Sequence, residues 1–319
     1  MDGGSFDIVY LGARATQTSI PYAVVNGVDF TLNGGQVQQA VVGADGWSGN
    51  AGYNVYTGDV NITVNGGTLE TENGQIYMST YGATETQGIF TVTDGTVLNK
   101  GQLSGAKRIN ISGGSVQTQG IDVKAMTLSG GNLTVREPVR KSSYNGKLYA
   151  FPAVDVRNLT VSGGTLETVN GYIYMSAIGA TENQGLFTVT GGTIVNGGQL
   201  YGSKKLDISG GSVQTQRIDV DALTLSGGSL TVREPVRKSL YDGELYALPT
   251  LDVMTLAVSG GTLDAAWDWG KYTPMVLPKD EEYNDVGILV RIPYDVNTAT
   301  FTGGTTILDT GFAGNTALL

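Results

Sequence analysis

The feature that most constrains this chain is an internal repeat with a period of 97 residues. Residues 60–156 and 157–253 are two copies of one block, in which most positions are identical: the first contains NITVNGGTLETENGQIYMS and the second NLTVSGGTLETVNGYIYMS. A third copy starts at Met254 and departs from the pattern after Leu263, and residues 28–37 resemble the opening of the block. Near-identical tandem units indicate stacking of repeats into one elongated domain.

Each block contains a shorter motif, in which a strand with alternating apolar residues leads into a Gly-Gly or Asp-Gly corner. In ITVNGGTL we expect Ile62 and Leu69 to point inward and Thr63 outward, which is the periodicity of a strand. Glycine allows the positive φ that such a corner needs. The corners are separated by 28, 19, 17 and 33 residues, twice over; they lie at Gly66, Asp94, Gly113, Gly130, Gly163, Gly191, Gly210, Gly227 and Gly260.

This series predicts an all-β fold, a single-stranded parallel β-helix (β-solenoid) whose coils have 17–19 residues and whose longer steps carry inserted loops. With four coils in each block, one block would rise by roughly 19 Å. We therefore interpret residues 1–319 as one elongated domain. Its N-terminal coils occupy residues 1–59, and a partial third block with a C-terminal cap occupies residues 254–319.

The motifs LTVSGGTL (159–166) and LAVSGGTL (256–263) resemble the repeats of bacterial β-helical surface proteins, in particular the passenger domains of autotransporter adhesins. The resemblance covers most of residues 24–263 and concerns the rungs of the β-helix. It implies a right-handed parallel β-helix, export, and display at the bacterial cell surface or outside the cell. It assigns no functional residue. Since the start, MDGGSFDIVYLG, has no signal-peptide pattern, we interpret the chain as a fragment of a longer exported protein.

The composition excludes several classes of site. Without histidine or cysteine, the chain has no Ser-His-Asp triad, no Cys-His pair and no histidine-ligated zinc. A net charge of −10 argues against nucleic acid as a partner. No apolar run is long enough to span a membrane, and we expect neither a cofactor nor a metal.

The first candidate binding site is a repeated insertion, REPVRKSSYNGKLYAFP (136–152) and REPVRKSLYDGELYALP (233–249). The central Asn-Gly and Asp-Gly predict a small hairpin that projects from the same edge in both blocks. Arginine and tyrosine on such a loop suit a glycan or a protein epitope. Alternatively, the loop only covers the flank of the coil. The candidate residues are Arg140, Lys141, Tyr144, Tyr149, Arg237, Lys238, Tyr241 and Tyr246.

The second candidate is residues 264–287, which contain Trp267 and Trp269 among several acidic residues. Tryptophans at i and i+2 share one face of an extended segment, where they could stack on sugar rings. The carboxylates of Asp264 and Asp268 could serve as a glycosidase acid and base. The alternative is a terminal cap that shields the core. No catalytic residue is assigned.

We expect a non-enzymatic adhesin or binding protein whose partner is a polysaccharide, a glycan or a host surface protein. Repeated sites at fixed spacing would bind a clustered ligand through avidity. Two alternatives stay open: a polysaccharide lyase or glycosidase of the β-helix class, and a structural stalk or self-associating filament. A calcium-dependent lyase is disfavoured, because Asp122 and Asp219 lie a whole block apart.

Overall fold

A computed structural model describes residues 1–15, 22–46, 54–71, 76–78, 88–136, 140–141, 148–149, 152–169, 171–175, 185–235, 237–238, 245–246, 250–268, 294–309 and 316–318. Every regular element in these ranges is a β-strand, and no helix occurs among them. The predicted all-β class is confirmed.

The strands, in chain order, are β1 (Ser5–Ala15), β2 (Tyr22–Leu32), β3 (Gln36–Gly46), β4 (Asn54–Val64), β5 (Thr68–Thr71), β6 (Ile76–Tyr77), β7 (Ile89–Val92), β8 (Thr96–Asn99), β9 (Gln102–Ser104), β10 (Arg108–Ile111), β11 (Ser115–Thr118), β12 (Gly120–Val135), β13 (Arg140–Lys141), β14 (Leu148–Tyr149), β15 (Pro152–Thr168), β16 (Tyr172–Met175), β17 (Leu186–Val189), β18 (Thr193–Asn196), β19 (Gln199–Ile208), β20 (Ser212–Thr215), β21 (Arg217–Pro235), β22 (Arg237–Lys238), β23 (Leu245–Tyr246), β24 (Leu251–Asp268), β25 (Tyr294–Phe301), β26 (Thr305–Asp309) and β27 (Thr316–Leu318).

Most pairings are parallel, and from residue 102 onward they form three ladders that the chain visits in turn. The first ladder contains residues 102–104, 120–123, 154–156, 172–175, 199–201, 217–220, 251–253 and 294–296. The second contains residues 108–111, 125–128, 158–161, 186–189, 205–208, 222–225, 255–258 and 298–301. The third contains residues 115–118, 132–135, 165–168, 193–196, 212–215, 229–232, 262–266 and 305–309. One residue set from each ladder forms a layer.

The core lies between the ladders and is built from the inward residue of each strand. In the second ladder these residues stack in one column that is at most 2% exposed: Ile62, Phe90, Ile109, Met126, Leu159, Phe187, Leu206, Leu223 and Leu256. Their separations follow the series 28, 19, 17 and 33 that the corners predict. Ile62 and Leu69 are fully buried and Thr63 is not, so the expected alternation is confirmed.

Parallel pairing also closes a ring of six strands, with β15, β17, β19, β21, β20 and β18 as successive neighbours. The ring closes because β15 and β21 each run through a Gly-Gly corner and so belong to the second and third ladders at once. The architecture is thus an all-β stack of mainly parallel strands. Its winding as a β-helix stays a prediction.

At the corner between the second and third ladders, one glycine of each layer has a positive φ, and these glycines stack from layer to layer. This glycine seam comprises Gly4, Gly35, Gly67, Gly95, Gly114, Gly131, Gly164, Gly192, Gly211, Gly228, Gly261 and Gly304. The backbone is hydrogen-bonded beside it: the Ser115 amide donates to the Gly95 carbonyl at 2.8 Å. The seam continues across both block boundaries, so neighbouring blocks contact each other through the same glycine stacking as the layers within a block.

The C-terminal region contains a layer that the sequence analysis missed. β25 pairs in parallel with β24 through Leu251 and Tyr294, and β26 does so through Thr262 and Thr305. β27 then covers the other edge of β26 in antiparallel register. Residues 294–309 therefore return to the stack. The predicted cap also includes residues 269–293, which lie outside the described residues.

Candidate functional site

The first ladder carries a column of acidic and aromatic side chains in direct register. Its members, which we call the acidic–aromatic column, are Asp122, Asp155, Tyr174, Tyr201, Asp219 and Asp252. An outward column of the second ladder consists mainly of threonine: Thr91, Thr127, Thr160, Thr188 and Thr224. Threonine is thus enough to form an outward strand face in this fold, and the fold itself does not require acidic or aromatic residues there. The acidic–aromatic column therefore makes the face of the first ladder chemically distinct.

Three tyrosines cluster at the centre of this column. The rings of Tyr174 and Tyr201 stack with centroids 4.6 Å apart, and Tyr172 packs against Tyr201 at 5.1 Å with tilted planes. Burial raises the pKa of Tyr201 well above its ordinary value, and its hydrogen bond with Tyr172 and the nearby charge of Asp155 raise it further. Since the rings stack on one another, the cluster offers hydroxyl groups and ring edges to a ligand.

In the second block an arginine joins two carboxylates of the column. Arg217 Nη2 lies 2.6 Å from Asp252 Oδ2 and 3.2 Å from Asp219 Oδ2, and its side chain is 11% exposed. Burial raises the pKa of Asp219; Arg217 lowers it, and the charges of Asp252 and Asp221 raise it. The guanidinium therefore offsets part of the repulsion among three carboxylates.

The first block lacks this arginine, because Gly120 occupies the position equivalent to Arg217. Asp122 and Asp155 face each other in the same register as Asp219 and Asp252. Burial and the charge of Asp155 both raise the pKa of Asp122. The two copies thus present the same carboxylate pair in different electrostatic surroundings.

The predicted hairpins are confirmed at the backbone level in both blocks. Arg140 pairs with Tyr149 and Lys141 with Leu148 in antiparallel register. Arg237 pairs with Tyr246 and Lys238 with Leu245 in the same register. The remaining hairpin candidates, Tyr144 and Tyr241, lie outside the described residues. The use of these residues in binding stays a prediction.

The C-terminal candidates are only partly described. Trp267 and Asp268 continue β24, where they pair with Glu234 and Pro235, and Trp269 lies outside the described residues. Asp264 is engaged by Arg233, with 2.5 Å between Nη2 and Oδ2. An ion-paired Asp264 offers no support for the glycosidase alternative.

Sequence reasoning missed the acidic–aromatic column because its members are separated by insertions. Asp122 and Asp219 lie four layers apart in this column, and each has a partner in the next layer, Asp155 and Asp252. A usable signal was present: the tripeptides IDV, VDV, IDV and LDV recur at residues 121–123, 154–156, 218–220 and 251–253. Their shared pattern of apolar, acidic and apolar residues marks one outward position.

Comparison with protein-family models, curated proteins and solved structures finds no match. Within the described ranges, no helix has the length and apolar character needed to cross a membrane. The same part of the chain contains no group of three or more His, Cys, Asp or Glu residues arranged to hold a metal ion.

Proposed function

We propose that the protein is a non-enzymatic, glycan-binding adhesin of the bacterial surface, built on a right-handed β-helix. Parallel partners 17 to 33 residues apart support the β-helix, because a chain that returns to the same ladders in the same order winds around a common core. Parallel connections are right-handed in nearly all proteins. The resemblance to autotransporter passenger repeats supports export and surface display.

The duplicated hairpin is the observation that carries the proposal. Arg140 lies opposite Tyr149, and Arg237 lies opposite Tyr246, at equivalent positions of the two blocks. Directly opposed residues in an antiparallel pair occupy one face of a hairpin. Each block therefore pairs an arginine position with a tyrosine position in the backbone register, and these two residue types are enriched in binding surfaces.

The first ladder provides a second contact surface for the same ligand. The hydroxyl groups of Tyr174 and Tyr201 and the carboxylate of Asp155 offer hydrogen-bond donors and acceptors. Sugars carry both donors and acceptors on every ring. With the blocks about 19 Å apart, two weak sites on one rigid body would bind a polymeric glycan through effective concentration.

The test is binding of the labelled chain to a glycan array, with release of reducing ends measured on the same glycans. We expect binding without cleavage. Replacement of Tyr144, Tyr149, Tyr241 and Tyr246 by alanine should abolish binding while the circular dichroism spectrum is unchanged. Gln117→Ala with Gln214→Ala, on the third ladder, is the matched control. Cleavage, or full binding by the tyrosine variant, would overturn the proposal.

A further inference from the structure

Three cations stack in successive layers at the corner between the first and second ladders. We call Lys107, Lys124 and Arg157 the basic strip. Lys107 and Lys124 directly precede the paired residues Arg108 and Ala125. Arg157 lies opposite Lys124, because Val123 pairs with Val156 and Ala125 pairs with Asn158 on either side of them. Lys107 and Arg157 are exposed and Lys124 is half-buried.

The basic strip is not neutralised within the described part of the chain. No side chain there forms a hydrogen bond or an ion pair with any of the three cations. Asp122 and Asp155 belong to the neighbouring column and face each other. Like charges directly opposed on adjacent strands are destabilising. The strip therefore does not serve the stability of the fold.

The three layers that lie 97 residues further along the chain provide an internal comparison, because they keep only one of the three cations. Lys204 matches Lys107, whereas Asp221 and Met254 occupy the positions equivalent to Lys124 and Arg157. Asp221 is exposed and Met254 is 59% exposed. At this column the net charge of the three residues thus falls from +3 to 0 between equivalent layers, at outward positions where the core imposes no constraint.

From this arrangement we infer that the basic strip binds a linear acidic polysaccharide, whose carboxylate or sulfate groups lie against successive cations. Neighbouring parallel strands are about 4.8 Å apart, so the strip presents one positive charge for each such step. An extended polysaccharide with one acidic group on each ring has a similar repeat. Nucleic acid strands carry charge at a denser interval of about 3.4 Å, and the net charge of −10 repels them more strongly.

The binding of an acidic glycan rests on the proposed function and specifies the class of ligand. It uses a surface separate from the hairpins: the strip follows the first ladder, whereas the hairpins lie between the third ladder and the first. Loss of one contact surface therefore leaves the other testable. If a neutral glycan binds through the hairpins but acidic polysaccharides do not bind to the basic strip, the inference about the strip fails and the adhesin proposal stands.

The experiment compares the 319-residue chain with an exchange variant, Lys124→Asp with Arg157→Met, which introduces the residues found 97 positions further along the chain. Binding of polygalacturonate and heparin is measured by titration calorimetry at low and high salt. We expect the exchange to weaken binding roughly tenfold or more, as loss of charge-assisted contacts does. Its circular dichroism spectrum should be unchanged, because neither side chain belongs to the buried core.

The reverse exchange, Asp221→Lys with Met254→Arg, supplies the matched gain of function. It creates a second strip about 19 Å away, and we expect higher affinity and twice the number of bound acidic segments. Unchanged affinity in both variants, or no binding of either polysaccharide by the parent chain, would overturn the inference. Equal or tighter binding of single-stranded DNA would also overturn it.

Discussion

At the scale of single residues, the glycine seam sets the distance between layers. Gly114 has a φ of 69°, a conformation that side chains with a Cβ rarely adopt. A Cβ added there would lie 2.6 Å from the Gly95 carbonyl oxygen of the preceding layer, which is closer than van der Waals contact allows. The seam therefore needs glycine for two reasons: the turn itself and the close approach of the next backbone.

Gly114→Ala should consequently lower the free energy of unfolding by about 2 kcal/mol or more, since it combines backbone strain with a steric overlap. Urea unfolding followed by circular dichroism measures the change. Gly3→Ala is the matched control, because a Cβ at Gly3 meets no atom within 4 Å. Equal stability of the two variants would show that the layers can separate without cost.

At the scale of elements, the corner between the third and first ladders is held by a buried polar network that occurs twice. Asn99 Oδ1 accepts a hydrogen bond from Thr71 Oγ1 at 2.7 Å, and Asn99 Nδ2 donates to Thr118 Oγ1 at 2.9 Å. Asn196 bonds Thr168 and Thr215 in the same way, at 2.6 and 2.9 Å. One amide thus satisfies two hydroxyls in the adjacent layers.

Asn99→Ala and Asn196→Ala should each cost about 2 kcal/mol, because each leaves buried donors and acceptors without partners. The two networks are four layers apart, roughly 19 Å, so the costs should add in the double variant. Chemical denaturation of the three variants tests this, with Asn132→Ala, at an exposed position, as the control. A double variant no less stable than either single variant would contradict the prediction.

The sequence predicts the elements whose identity depends on local pattern. Alternation around Ile62 and the spacing of the glycine corners give the parallel ladders, and Asn145-Gly146 gives the hairpin. It did not predict the acidic–aromatic column or the layer over residues 294–309. Both depend on which strands become neighbours after insertions of varying length, and an insertion leaves no periodic signal of its own.

At the scale of the whole molecule, the block behaves as an exchangeable unit. Deletion of residues 157–253 would join Val156 to Met254. Val156 is equivalent to Val253, which precedes Met254 in the parent chain, so the new junction has the same residues as the old one. Arg136 would then occupy the position of Arg233 opposite Asp264, so the ion pair at the new junction could form again.

We expect the deletion variant to fold with an unchanged circular dichroism signal per residue and to be shorter by roughly 19 Å. Small-angle X-ray scattering measures the length, and a deletion of residues 157–240, which is shorter than one period and therefore shifts the register of the following strands, is the comparison. Aggregation of the in-phase variant would contradict the exchangeability of the block.

The continuity of the glycine seam across the block boundaries has a genetic consequence. Where the coding sequences of two such similar blocks misalign during recombination, the in-frame offspring have one block more or one block fewer. Every such offspring would already have matching glycines at its new junction, so no compensating substitution would be required. The reach of the molecule is therefore a heritable quantity that changes in steps of four layers.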